Sequence, residues 1–369
     1  MSDPFIPINL GNLPEIDRVE RKEDIIEATK KINKIIKDSR MQSKQEVCYY
    51  CGKPCDGFCN SHTVPAFCLR NIAEKGKVYY ANTIIDLPVM KDDKGVNEAG
   101  TFHLICRDCD SKVFQEYENP ENYDEQPSIK MLAQISMKNY LKNISKRLME
   151  KELYDLMQER LGADTGYVDA KQCVSDLDLN EYKAAFVRAK KRDIKPFSGE
   201  YYIGFYEKLP YVVPVAFQGT VAMIADMEGN VINNVYNKDP KYRIKDIMLC
   251  VFPLEDSSVI MLFVEKDNRR YSNFFRQLKK CGNREEQLRV INFILFSYCE
   301  DYFVSPHVSK KVLKQLNDLM GKTSSLLATW PTTNEEQLEE IKKVYDFNAR
   351  FSVPNLFSQE FALSKENDG

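Results

Sequence analysis

Two stretches, VCYYCGKPCDGFCNSHTVPAF at 47–67 and ICRDCD at 105–110, decide how the N-terminal third of this chain folds. Each carries a Cys-x-x-Cys pair, Cys48 with Cys51 and Cys106 with Cys109. One such knuckle places two thiolates on an edge of a tetrahedron, and two knuckles complete the four-coordinate shell that zinc prefers. The spacing therefore predicts a structural zinc ion held by Cys48, Cys51, Cys106 and Cys109. A redox dithiol would want a single pair at a helix N-terminus behind a strand, which neither pair clearly presents. Between the knuckles, Cys55, Cys59, His62 and Cys68 also lie at ligand-like spacings. They leave open a second zinc or an exchanged knuckle, although Val64 and Phe67 around Cys68 suit a buried thiol as well.

Working outward, the 369 residues suggest two or three domains, and 43% apolar with 11% aromatic residues is ordinary for a globular chain. No run approaches the ~20 apolar residues that a membrane helix needs. The first residues lack a basic head, an apolar block and a small-residue cleavage site, so a cytoplasmic protein is expected. Seven of the eleven cysteines lie between Cys48 and Cys109, and in a reducing compartment they read as ligands or buried thiols rather than disulfides. The other four, Cys173, Cys250, Cys281 and Cys299, sit in apolar surroundings and read as small core residues. A net charge of −3 gives no global attraction to nucleic acid, so any such surface must be local.

The remaining pattern is α+β. Ile16, Val19, Ile25, Ile26, Ile32, Ile35 and Ile36 recur at helical spacing over 14–41. A long amphipathic helix is expected from Ser128 to Gly162, with Ile129, Leu132, Ile135, Leu141, Ile144 and Leu148 on its apolar stripe. Lys130, Lys138, Lys142, Lys146, Arg147 and Lys151 then lie largely on the other side, and Gly162 fits a C-terminal cap. From Tyr201 the period changes to strands over 201–206, 211–218, 221–226, 231–236, 247–253 and 259–265, with a turn at Met227-Glu-Gly-Asn230. Asn283 with Glu286 makes a capping box for a helix over 285–303, Ser305-Pro306 starts another, and a last helix is expected over about 334–346 before a frayed tail from Ser358. The fold class is an N-terminal zinc-stapled treble-clef or ββα-like module, long amphipathic helices, and a C-terminal antiparallel sheet packed by helices. The expected boundaries are a helical arm 1–44, the zinc module 45–125, a helical region 126–196, an α+β domain 197–350 and a tail 351–369.

Cys48-Tyr-Tyr-Cys51, Ser61-His-Thr-Val-Pro65 and Cys106-Arg-Asp-Cys109 together resemble zinc-stapled nucleases of the His-Asn-His (HNH) type, over roughly residues 45–120. More loosely, the Ser-His-x-x-Pro element with Cys109-Asp110 and Tyr117-Glu118 resembles bacterial HNH-like proteins found among phage-defence genes. The resemblance implies that His62 is the general base activating water against a phosphodiester. It also implies that Asp110 is a hard oxygen ligand for a separate Mg2+ or Mn2+ ion, with DNA or RNA as the partner. Asn71 or Asn82 would supply the middle asparagine. Ser61 stands where the family has an acidic residue, and the closing His or Asn after the second knuckle is missing.

Two readings follow. In one, the chain is a metal-dependent nuclease or nucleic-acid binder, with basic faces at Lys138–Lys151 and Arg188–Lys195 tracking a phosphate backbone. In the other, the nuclease-like module is degenerate, those faces are merely solvated, and the C-terminal domain binds a protein partner. The strands between Tyr201 and Glu265 carry no nucleophile–base signature, phosphate loop or dinucleotide fingerprint.

Overall fold

The computed structural model describes residues 22–55, 57–84, 87–234, 237, 239, 241–324, 336, 339 and 346–364. The expected last helix over 334–346 falls almost wholly outside the described residues, as do positions 14–21 of the expected N-terminal helix and the end of the tail beyond 364. The fold is mixed α+β, and none of the described helices is long and apolar enough to cross a membrane. Packing divides the chain into two units. One holds residues up to Ser61, Phe102–Gln115 and Ala133–Lys195; the other holds His62–Thr101, Glu116–Leu132 and the chain from Pro196.

In the first unit, α1 (Lys22–Gln42) precedes the first knuckle, and the two-residue strand β1 (Ser61–His62) marks where the chain leaves. In the second, the chain between the knuckles forms regular structure: α2 (Ala66–Ile72), β2 (Lys77–Ile84) and β3 (Leu87–Gly95). The chain returns through β4 (Thr101–Phe102), the partner of β1, into α3 (Arg107–Val113). β4 stops at Phe102, and Cys106 opens α3 as its N-cap residue.

Two long helices follow, α4 (Ile129–Leu161) and α5 (Thr165–Ile194). Gly162, with a positive φ of 65°, ends α4, and its N–H and that of Ala163 bond the carbonyls of Gln158 and Met157. Asp164 then caps α5 by accepting the Tyr167 N–H at 2.9 Å. Contacts climb one helix as they descend the other: Tyr140 stacks on Tyr182, Arg147 pairs with Asp178, and Lys151 pairs with Asp176. The two are thus an antiparallel hairpin. Here the expected solvated lysine face fails in part, since α4 is buried at every position from 131 to 141, including Gln134, Ser136, Lys138 and Asn139.

The second unit is built on a seven-stranded, wholly antiparallel sheet in the order β3-β2-β9-β6-β7-β8-β5. Its C-terminal strands are β5 (Tyr201–Leu209), β6 (Val215–Val221), β7 (Ile247–Pro253), β8 (Ser258–Glu265) and the two-residue β9 (Phe303–Val304). β7 is buried at every residue and β8 at all but Glu265, which accounts for their unbroken apolar runs. Of the expected strands over 221–226 and 231–236, the described residues form only the end of β6 at Val221 and a single bridge, Ala225 to Val231, around the Asp226–Asn230 turn. Helices α6 (Ser272–Lys280) and α7 (Arg284–Tyr298) pack on the sheet, and Asn283 caps α7 through the Glu286 N–H as its sequence predicts. α8 (Lys310–Ser324) begins later than the Ser305-Pro306 signal. Gly204 in β5 is needed for the close approach of α6, because a Cβ there would stand 1.9 Å from the Phe275 ring. The expected frayed tail from Ser358 is ordered at its start: Gln359–Phe361 forms a short helical turn, and Leu363 N–H bonds the Val212 carbonyl.

Candidate metal centre

The first knuckle is a tight turn. Cys48 N–H bonds the Lys53 carbonyl at 2.9 Å, Gly52 N–H bonds the Cys48 carbonyl at 2.8 Å, and Gly52 takes a φ of 70° that an L side chain resists. The second is a helix start, with Cys106 at the N-cap of α3 and Cys109 in its first turn. Backbone bonds join them: Tyr49 N–H to Leu104 O at 2.9 Å, and Cys106 N–H to the Cys48 sulfur at 3.3 Å. As a result, one sulfur from each of Cys48, Cys51, Cys106 and Cys109 lies within 4.8 Å of every other, an arrangement that can hold a metal ion. Cys48 is buried, Cys106 and Cys109 are half-buried, and Cys51 is exposed.

The thiols are tuned unequally. Burial raises Cys48, but N–H donors from Cys106, Cys51 and Tyr50 outweigh it and bring that thiol down to about 7. Burial, with the neighbouring sulfurs, pushes Cys106 and Cys109 upward. A bound cation would resolve this, because one positive centre offsets the mutual repulsion of four thiolates and favours release of their protons. No other His, Cys, Asp or Glu group among the described residues is close enough to hold a metal. Cys55 instead bonds the Gly57 carbonyl, Cys59 bonds the Ile105 carbonyl, and Cys68 is wholly buried.

Helices α4 and α5 support this centre. From α5, the Phe186 ring meets Tyr49 and Tyr50 edge-on at 5.3 and 6.4 Å, and Lys190 Nζ donates to the Tyr50 carbonyl at 2.6 Å while lying over that ring. From α4, Lys138 reaches Asp110, the residue just after the second knuckle, at 2.6 Å. Its side chain is fully buried and that of Asp110 is 21% exposed. Lys138 also donates to Ser61 Oγ at 2.9 Å, Ser61 donates to Asp110 at 2.6 Å, and the ammonium stands 4.0 Å from the Phe114 ring centroid. Burial raises the Asp110 carboxyl, but Lys138 and Ser61 overcome it and hold the group below the usual carboxylate range. The same carboxylate, after burial, helps push Cys59 up to about 12.

The residues implied by the HNH resemblance are thus accounted for separately. Asp110 belongs to the first unit and is engaged by Lys138 and Ser61; His62 belongs to the second, where its Nε2 donates to the Val96 carbonyl at 2.9 Å. A carbonyl can only accept, so Nε2 carries the proton and Nδ1 is the basic atom. Asn71 donates to the Pro253 carbonyl at 3.0 Å, and His103 bonds Asn60 at 2.7 Å. Lys138 was missed as part of this centre because helical periodicity assigns it to a solvated face; the only signal was a run of polar residues where the apolar stripe was densest. No protein-family model, curated protein or solved structure matches this chain.

Proposed function

We propose that Cys48, Cys51, Cys106 and Cys109 hold one zinc ion in a closed structural site, and that the HNH-like module it clamps serves binding rather than cleavage. The observation that carries this reading is the all-sulfur cluster itself. Four thiolates fill a tetrahedral shell and leave no position for a water nucleophile, and soft sulfur favours zinc over magnesium or calcium. Two further contacts support it. The Asp110 carboxylate, the hard ligand that catalysis would use, is neutralised by a buried lysine, and the His62 Nε2–H is committed to a backbone carbonyl. Eleven cysteines free of disulfides suit a reducing, cytoplasmic setting.

The test has two arms. Elemental analysis of the purified protein should find about one zinc per chain, lost in Cys106→Ala. Incubation with plasmid DNA and with RNA, in Mg2+ or Mn2+, should give no cleavage beyond that of His62→Ala. Cleavage abolished by His62→Ala would instead establish the nuclease reading, with His62 as base and Asp110 as ligand of the catalytic cation.

A further inference from the structure

The second unit holds a cleft of about 490 Å3 where β5, the end of β8 and α6 meet. Four of its lining residues are cations, Lys266, Arg269, Arg276 and Lys279, and none is an aspartate or glutamate. Ser272, Phe275, Arg276 and Lys279 recur at i, i+3, i+4 and i+7, so one face of α6 forms a wall. Lys266 and Arg269 come from the connection between β8 and α6.

Among the described residues none of these four cations makes an ion pair; Arg276 donates to Asn273 and Lys279 to the Tyr202 hydroxyl at 3.0 Å. Elsewhere the protein pairs its basic side chains freely, as at Arg147, Arg284 and Arg289. Four unpaired like charges around one concavity repel one another, and a low-dielectric wall focuses their field on an anion. The N-terminus of α6 opens without a side-chain cap and adds to the same sign.

Two features carry the argument past a bare anion. Tyr202 lines the cleft with 45% of its surface exposed, and its ring is held by edge contact with Phe275 at 5.5 Å. An exposed, positioned aromatic face is a platform for a planar ring. Asn268 donates to the Asp246 carbonyl at 2.7 Å, and that bond fixes its amide, while its Oδ1 is buried with no hydrogen-bond partner. An unpartnered acceptor is of no use to a phosphate, but it accepts from a sugar hydroxyl or a base N–H.

We propose that this cleft binds a nucleotide, its phosphate held by Lys266, Arg269, Arg276 and Lys279, its base stacked on Tyr202, and a hydroxyl or N–H given to Asn268. The same chemistry is offered by a free mononucleotide and by a single strand of RNA or DNA. The proposal is independent of the metal centre.

The experiment uses the full, metal-loaded chain and measures binding of ADP, a fluorescent eight-nucleotide oligouridylate and inorganic phosphate across a salt series. ADP or the oligomer should bind, the tighter of the two naming the source. Arg269→Gln/Arg276→Gln should weaken that binding at least tenfold and lower the salt slope by about two. Lys310→Gln/Lys311→Gln, the same change of net charge placed on α8, should leave it unaltered, and Tyr202→Ala should weaken the nucleotides but not phosphate. Circular dichroism checks that each variant is folded. No binding of either nucleotide, equal weakening by the two double variants, or phosphate bound as tightly as ADP would overturn the proposal.

Discussion

The region around the cysteine knuckles and the antiparallel sheet are held together by opposite means. Around the knuckles, the chain of the first unit is organised by four sulfurs, a handful of backbone bonds and one buried lysine–aspartate–serine network. The sheet of the second unit is organised by apolar side chains, with β7 and β8 almost entirely buried and α7 buried continuously from Val290 to Ser297. Apolar burial is non-directional and tolerates exchange of similar volumes, whereas metal ligation and buried charge fail when a single partner is lost. The knuckle region should therefore break sharply at few positions, and the sheet should yield gradually at many.

The strongest way to test that contrast is to load the purified chain with zinc and then chelate it. Structural zinc sites carry apparent binding energies of about 10 kcal/mol or more, so a chelator should abolish hydrogen-exchange protection over 47–54 and 103–110. Amides of β7 and β8 should keep theirs; loss across both sets at once would mean that the contrast is false. Next comes Lys138→Met, which strands the Asp110 carboxylate and should cost about 3–5 kcal/mol in urea unfolding. Adding Asp110→Asn should restore part of that loss, because it removes the unpaired charge.

Smaller effects should come from the sheet. Gly204→Ala forces a Cβ against Phe275 and should cost about 1–3 kcal/mol as α6 shifts, read as a lower denaturant midpoint. Smaller still is the exception beside this sheet, Asp226, whose carboxylate is nearly buried with no cation paired to it among the described residues and accepts from Asn230, Glu228, Asn273 and Gln277. Burial raises this carboxyl, but those donors prevail and hold it below its ordinary value. A depressed carboxylate stabilises the fold fully above its unfolded pKa of ~3.9 and loses that contribution as pH falls through the lower folded value. Wild type should thus lose stability below about pH 4 more steeply than Asp226→Asn, which should itself cost about 1 kcal/mol at neutral pH. Parallel acid curves for the two proteins would remove Asp226 from this role.

Legibility in the sequence follows the same divide. The cysteine pairs were readable because ligand chemistry dictates spacing, β7 and β8 because burial on both faces demands apolar runs, and the half-buried edge strand β5 because its aromatic and branched residues favour a strand. β2 and β3 were hidden, since Lys77–Ile84 finds its second partner only at Phe303–Val304, far along the chain. Lys138 was hidden for a different reason: period alone assigns a lysine to water, and only the partners Asp110 and Ser61 make its burial tolerable. The cleft cations Lys266, Arg269, Arg276 and Lys279 were scattered over a loop and a helix, with no motif to gather them.

The two residues of β9 carry a last consequence, for the order in which the protein is made. Tyr79 and Tyr80 of β2 pair with Val304 and Phe303, and the same two residues pair with Val215 and Ala216 of β6. A ribosome releases both cysteine pairs well before it reaches Phe303, so at ~5–20 residues per second the metal ligands are complete roughly ten to forty seconds before β2 can join its sheet. During that interval the loop carrying β2 and β3 is tethered at both ends by the knuckles but lacks its docking strand. Zinc taken up early would shorten the search by holding the ends of that loop together, so metal supply during synthesis should govern the yield of correctly assembled sheet as well as the stability of the finished protein.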